Sequence, residues 1–199
     1  MAITAFEKIQ AFLKESDGIL RTEDAKALNV SRTTLSNLEK AGLLYRAARG
    51  QYILPDSLPD ELYLWQQRVS GMIYSHETAL FLHGMAERTP AQHSVTLSGK
   101  ARLSESFPSD YKVYYVKPAL WNTGVTSIPS KMGHVVQAYD AERTVCDILR
   151  SRTRIDDQIV AAAMKSYARR KGQDLKKLGE YAALFRVTAI LRRYLEVLL

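Results

Sequence analysis

The chain has 199 residues, 46% apolar and 25% charged, with a net charge of +7. Such a composition excludes a disordered chain, and no apolar run approaches the roughly 18 residues of a membrane span. A single cysteine, Cys146, excludes an internal disulfide and any multi-cysteine zinc site.

At the N-terminus, Glu7 and Lys8 interrupt what would be the apolar core of a signal peptide, so a cytoplasmic location is expected. Thr4 and Glu7 form a capping box, T-x-x-E. Ile3, Phe6, Ile9 and Leu13 follow at helical spacing, with Gln10 as the polar exception, and Asp17-Gly18 should end this first helix. Thr22 is the expected N-cap of a second helix over 23–28, Asn29-Val30 a turn, and Ser31 the cap of a third helix over 32–41. Gly42 stops it. Residues 43–46 and 51–54 read as strands joined in a hairpin by "AARG". "LPDSLPDEL", with two prolines and three acids, reads as a linker, which divides the chain into domains 1–57 and 58–199.

In the second domain, "GMIYSHETALFLHGMAE" reads as helix capped at Ser75. "HSVTLS", "YKVYYVKP" and "HVVQAYD" are strand-like, rich in Val and Tyr. Helices are expected over 141–151, 156–171, 174–184 and 187–198. The fold class is therefore α+β: an N-terminal winged helix-turn-helix, then a larger mixed α/β domain with C-terminal helices.

The second helix of a helix-turn-helix enters the major groove. Here Val30, Leu35, Leu38 and Ala41 are expected to face in, leaving Arg32, Thr33, Ser36, Asn37 and Lys40 outward, with Thr34 beside them at the phosphate-binding helix start. Arg pairs with guanine edges, Asn with adenine edges, and Ser or Thr with bases or phosphates. Arg46 and Arg49 flank the hairpin's Gly50 and suit phosphate or minor groove. The competing reading is an ordinary protein-interaction module.

Charge is unevenly placed. Residues 1–60 hold eight Lys/Arg against eight Asp/Glu, so the expected reader is neutral and the whole excess lies downstream. Residues 141–199 hold thirteen basic against seven acidic residues. Arg150, Arg152, Arg154, Lys165, Arg169, Arg170 and Lys171 form one basic face if the helices over 141–151 and 156–171 pack side by side. That face is either a phosphate-binding patch or a solvated surface.

Other features lead away from chemistry. His76, His83, His93 and His134 lack a metal-ligand spacing, so core or hydrogen-bonded histidine is the default and no metal or cofactor is implied. Ser75-His76 and Cys146 carry no nucleophile signature, and Cys146 reads as core. Asp140, Glu142 and Asp147 are interleaved with Arg143, which points to local ion pairing or helix N-terminal charge rather than magnesium. No Walker loop or GxGxxG is present, and no enzyme is expected.

"ILRTEDAKALNVSRTTLSNLEKAGLLYRAARGQYIL", "YSHETALFLHGMAERTP", "SVTLS" and "AYDAERTVCDILR", in that order, resemble the AbiEi antitoxins of bacterial abortive-infection systems. The resemblance implies a winged helix-turn-helix joined to an α/β antitoxin domain. It implies a repressor that binds inverted repeats in its own promoter, in double-stranded DNA. It also implies a type IV antitoxin that counters an AbiEii-like, nucleotidyltransferase-like toxin without a stable complex. Inverted repeats require two copies on DNA, which a monomer in solution with cooperative binding satisfies. "SHETALFLHG" and "ERTVCDILR" are expected to be folding elements. The alternatives are a ligand-responsive regulator without antitoxin activity and an enzyme acting on nucleic acid.

Overall fold

The computed structural model describes residues 4–102 and 107–198. Ile3 of the expected first apolar face lies outside the described residues. The chain divides into two compact units, Met1–Arg68 and Val69–Leu199, each described by itself.

In the first unit, α1 (Ala5–Glu15) starts at the expected box. The Thr4 amide donates to Glu7 Oε2 at 2.7 Å and the Glu7 amide to Thr4 Oγ1 at 3.2 Å. Two residues then form β1 (Leu20–Arg21), followed by α2 (Thr22–Ala27) and α3 (Arg32–Lys40). β2 (Tyr45–Ala48) and β3 (Gln51–Ile53) make the hairpin, and α4 (Glu61–Arg68) ends the unit. The three strands pair antiparallel in the order β1-β3-β2. Ile9, Leu13, Leu20, Ala25, Val30, Leu35, Leu44 and Tyr52 form the core between helices and sheet.

Three local expectations are corrected. Thr22 does not cap α2: Arg21 holds that position, Asp24 accepts the Arg21 amide, and the Thr22 hydroxyl donates to the Gly50 carbonyl at 3.3 Å. Ala41 is the C-cap of α3 and is exposed, because the helix has ended before the apolar stripe returns to it. The hairpin strands start two residues later than expected at β2, and the register shifts between Arg46 and Ala48. The short β1 and the helix α4 carry no periodicity long enough to register in the sequence. Leu64 of α4 packs with Ile19 and Ile53, and the Tyr63 hydroxyl donates to Asp17 Oδ2 at 2.7 Å, which also accepts from Arg21.

The second unit begins with β4 (Ile73–Tyr74) and α5 (His76–Leu82), so the stretch expected as one helix is split. Its first part pairs with other strands instead. β5 (His93–Ser98) and β6 (Tyr111–Val116) follow, then a single turn α6 (Pro118–Trp121), β7 (Val125–Pro129) and β8 (Val135–Tyr139). The sheet order is β6-β5-β4-β8-β7. β5–β6 and β4–β8 are parallel, and β4–β5 and β7–β8 are antiparallel. The helical end matches expectation closely: α7 (Ala141–Arg150), a 3-10 turn (Arg152–Arg154), α8 (Asp157–Arg169), α9 (Leu175–Leu184) and α10 (Thr188–Leu198).

Of these, α7 is central. It touches α5, α8, α9 and α10, and every residue from Ala141 to Leu149 is buried. Val145, Cys146, Ile148 and Leu149 meet Leu80, Met164, Tyr167 and Leu178 in one core. Cys146 is a core residue as expected, and burial pushes its thiol up to about 12. Among the described residues no helix is long and apolar enough to cross a membrane.

Candidate functional site

The first candidate surface is built by α2, its turn and α3. Asn29 takes a positive φ of 59°, a conformation asparagine tolerates better than most residues. This turns the chain so that the Val30 amide donates back to the Ala25 carbonyl at 2.8 Å. Val30 is thereby buried, and Ser31 caps α3 by accepting the Thr34 amide at 3.0 Å. Leu35 anchors α3 in the core and Leu38 packs against it. Arg32, Thr33, Asn37 and Lys40 are exposed, while Thr34 and Ser36 are half-buried. The Thr34 hydroxyl is shared with Ser31 Oγ at 2.8 Å. Arg46 and Arg49 are exposed on the hairpin. Tyr45 beside Arg46 is 55% exposed and Leu43 is 40% exposed. Their types read as strand core, so the sequence carries no signal for this exposure.

Gly50 closes the hairpin with φ +76°, and a Cβ there would lie 2.9 Å from Thr22 Oγ1. The Thr22 amide donates to the Gly50 carbonyl at 3.0 Å, so the hairpin tip is fastened to the start of α2. The result is a short polar helix face and a two-arginine hairpin on one small unit. Such a unit can make base-edge contacts from the helix and phosphate contacts from the arginines.

Residues 7–55 match the AbiEi antitoxin transcriptional regulators. The family carries the description "Transcriptional regulator, AbiEi antitoxin", and the AbiEi match spans both α3 and the hairpin. No curated protein matches the chain. Among solved structures, the crystal structure of the RV2827C protein from Mycobacterium tuberculosis is similar, with a TM-score of 0.65 at 13% sequence identity. That likeness covers 92% of this chain and 72% of that one, and at such identity it shows a shared fold.

Beyond the AbiEi match, the second unit holds a polar cluster. "SHETALFLHG" and "ERTVCDILR" do carry the fold, but they also bring His76, Arg143 and Asp147 around one pocket with Thr96, Tyr114, Arg150, Ser151 and Arg154. His76 opens α5 with φ 48° and stacks on Tyr114, with ring centroids 3.5 Å apart. Thr96 Oγ1 donates to Ser75 Oγ at 2.8 Å, Ser75 Oγ lies 2.9 Å from His76 Nδ1, and His76 Nε2 lies 3.0 Å from Ser151 Oγ. Burial holds His76 well below its ordinary pKa, and the cations Arg143, Arg154, Lys112 and Arg150 add to that effect. His76 is therefore neutral at pH 7.

Arg143 is fully buried. Its Nε donates to Asp147 Oδ2 at 2.9 Å, and Nη1 donates to the carbonyls of Leu120 and Thr123 at 3.1 and 2.9 Å. The rings of Tyr139 and Phe185 lie 4.1 and 3.8 Å from its guanidinium carbon. Gly124 leaves room for it: a Cβ there would stand 2.8 Å from the Arg143 Cβ. Burial pushes the Asp147 carboxyl up, against the pull of the Arg143 guanidinium. The local pairing expected for the α7 acids is thus present. Asp140 caps the helix, accepting from the Arg143 amide, and Glu142 accepts from the Tyr167 hydroxyl.

His83 Nε2 meets the Tyr139 carbonyl at 2.7 Å, outside α5, so it shares no helix face with His76. Among the described residues no group of three His, Cys, Asp or Glu is placed to hold a metal.

Of the seven basic residues of the expected patch, six are exposed and Arg170 is half-buried. Arg150 and Arg154 stand at the pocket, exposed at its rim. Arg152 is exposed, and its Nη1 donates to the Leu149 carbonyl. Arg154 lies over the Tyr114 ring at 4.8 Å. Lys165, Arg169 and Lys171 are exposed on or after α8. Arg170 donates to the His83 carbonyl at 3.0 Å.

Proposed function

We propose that the protein is an antitoxin and DNA-binding repressor of its own operon, acting in the cytoplasm. The first unit serves as a winged helix-turn-helix. Arg32, Thr33, Ser36, Asn37 and Lys40 meet base edges and phosphates in the major groove, and Thr34 helps to set the helix start. Arg46 and Arg49 on the hairpin engage the flanking backbone or minor groove. The observation that carries this reading is the exposed polar face of α3, seated on an apolar core within the segment that matches AbiEi transcriptional regulators.

Two copies on an inverted repeat supply the affinity that one neutral unit lacks. The second unit counters a nucleotidyltransferase-like toxin without a stable complex, and its basic residues from Arg150 to Lys171 are needed for that. The chain is proposed to be non-enzymatic.

The decisive experiment is promoter footprinting together with toxin rescue in the same strain. A symmetric, cooperative footprint lost in Arg32→Ala and Asn37→Ala is expected. A single asymmetric site, filled without cooperativity, contradicts the inverted-repeat reading. Reversing the charges of Lys165 and Arg169 should abolish rescue while leaving folding intact. Full rescue by that variant removes the basic residues from neutralisation. A second reading, a regulator whose second unit senses a ligand, is favoured by the pocket at His76.

A further inference from the structure

The pocket beside His76 has a floor and a rim of different character. At the floor Arg143 is wholly buried, and its Nη2 has no hydrogen-bond partner although Nε and Nη1 are fully engaged. A buried guanidinium donor left unpaired is costly, and in native proteins such a donor usually faces a ligand, ion or water. At the rim Arg150 and Arg154 are exposed. Lys112 stands close by, its Nζ 2.8 Å from the Arg154 carbonyl and 3.8 Å from Glu77 Oε1. Neutral hydroxyl and imidazole groups fill the wall: Thr96, Ser151 and His76.

Three guanidinium groups against the single Asp147 carboxylate leave two positive charges in the lining. A phosphate monoester carries about −1.5 to −2 at pH 7, which matches that excess; a carboxylate or a phosphodiester carries less. Guanidinium forks also suit the tetrahedral oxygens of phosphate. Size points the same way. The cavity is small, about 20 Å³, enough for a water or the leading oxygens of one headgroup. A recess of that size takes phosphate oxygens but not a nucleobase, and a terminal phosphate presents three free oxygens where a diester presents two.

We infer that this pocket binds one terminal phosphate group, of the kind carried by a nucleoside monophosphate or by the 5′ end of a nucleic-acid strand. The phosphate oxygens meet Arg150 and Arg154 at the mouth and the free Nη2 of Arg143 at the floor, while the rest of the ligand stays outside. The inference treats the second unit's arginines as phosphate ligands and is independent of the promoter-binding reading, which concerns the first unit.

The test is calorimetric titration of the full-length protein with inorganic phosphate, a nucleoside 5′-monophosphate and its nucleoside, and one oligonucleotide with and without a 5′-phosphate. Arg150→Ala and Arg154→Ala are compared with Lys176→Ala, which removes an exposed charge outside the pocket, and melting curves confirm that each variant folds. Saturable one-to-one binding is expected, weakened about tenfold or more by each rim variant and little by the control. The nucleoside and the 5′-hydroxyl strand should bind far more weakly than their phosphorylated forms. Tighter binding of the monophosphate identifies a small nucleotide as the source, and tighter binding of the phosphorylated strand identifies a strand end. The proposal is overturned by absence of saturable phosphate binding up to about 10 mM, by equal weakening in Lys176→Ala, or by indifference to the 5′-phosphate. Promoter binding is unaffected by any of these outcomes, so the two readings fail separately.

Discussion

Helices α3 and α7 use their polar residues in opposite ways. In α3 only Leu35 is buried, and the polar side chains spread over the exposed face. In α7 Glu142, Arg143, Thr144 and Asp147 are inside with the aliphatics. A polar residue on α3 is inexpensive to the fold, because water solvates it whether or not a partner is bound. On α7 each one must find its partner within the protein, so fold and chemistry depend on the same side chains.

The largest test of this contrast is Arg143→Ala. It strands the Asp147 carboxylate in the core and should cost about 3–5 kcal/mol of stability. Urea unfolding of the second unit measures it, and a loss below about 1 kcal/mol means the ion pair behaves as a surface one. On α3, Arg32→Ala and Asn37→Ala should each cost about 1–3 kcal/mol of specific DNA binding, with stability changed by less than about 0.5 kcal/mol. Operator titration paired with melting curves separates the two quantities. Unchanged operator affinity in both variants removes α3 as the reader.

A smaller, gradual effect concerns pH. The folded His76 pKa lies below 6.5, so the unfolded chain binds protons that the folded one refuses. The stability from neutral His76 is present above pH 6.5 and declines as pH falls below it. His83, also lowered by burial, adds in the same direction. Unfolding measured from pH 7 down to 5 should show the decline, and His76→Gln should flatten it. An unchanged slope in that variant assigns the effect elsewhere. Smallest of all, Arg46→Ala or Arg49→Ala should weaken binding to all sequences alike and lower the salt slope by about one unit per lost phosphate contact. Loss of preference at a single base position instead makes the hairpin a reader of sequence.

Much of the first unit is legible in the sequence because its signals are local: the Thr4–Glu7 box, the Ser31 cap, Gly50 at the hairpin. The helices from Ala141 onward are legible for the same reason. The pocket is not. Its walls come from β5, β6, α5 and α7, and nothing in the spacing of His76, Thr96, Tyr114, Arg143 and Ser151 announces that parallel pairing of β4 with β8 brings them together. The aliphatics of "ERTVCDILR" mark a core helix correctly, and that reading conceals Arg143, because a buried arginine gives the same pattern as a solvated one. Likewise β7 escapes notice, since Val125, Thr126 and Ile128 are only half-covered in "VTSIP", where proline ends the strand.

The two bonds from Thr22 to the Gly50 carbonyl have a further consequence. They join the hairpin tip to the start of α2, and β3 is also paired to β1 on its other side. The hairpin therefore does not swing on its own; its relation to α3 is settled when the unit folds. A partner surface must accept both at one fixed spacing, and no loop has to be ordered when they meet. The entropy of arranging these contacts is spent in folding, which leaves more of each contact's free energy for association. Lengthening the Arg49–Gly50 turn by a flexible glycine should thus slow or weaken association even though every contacting side chain is retained.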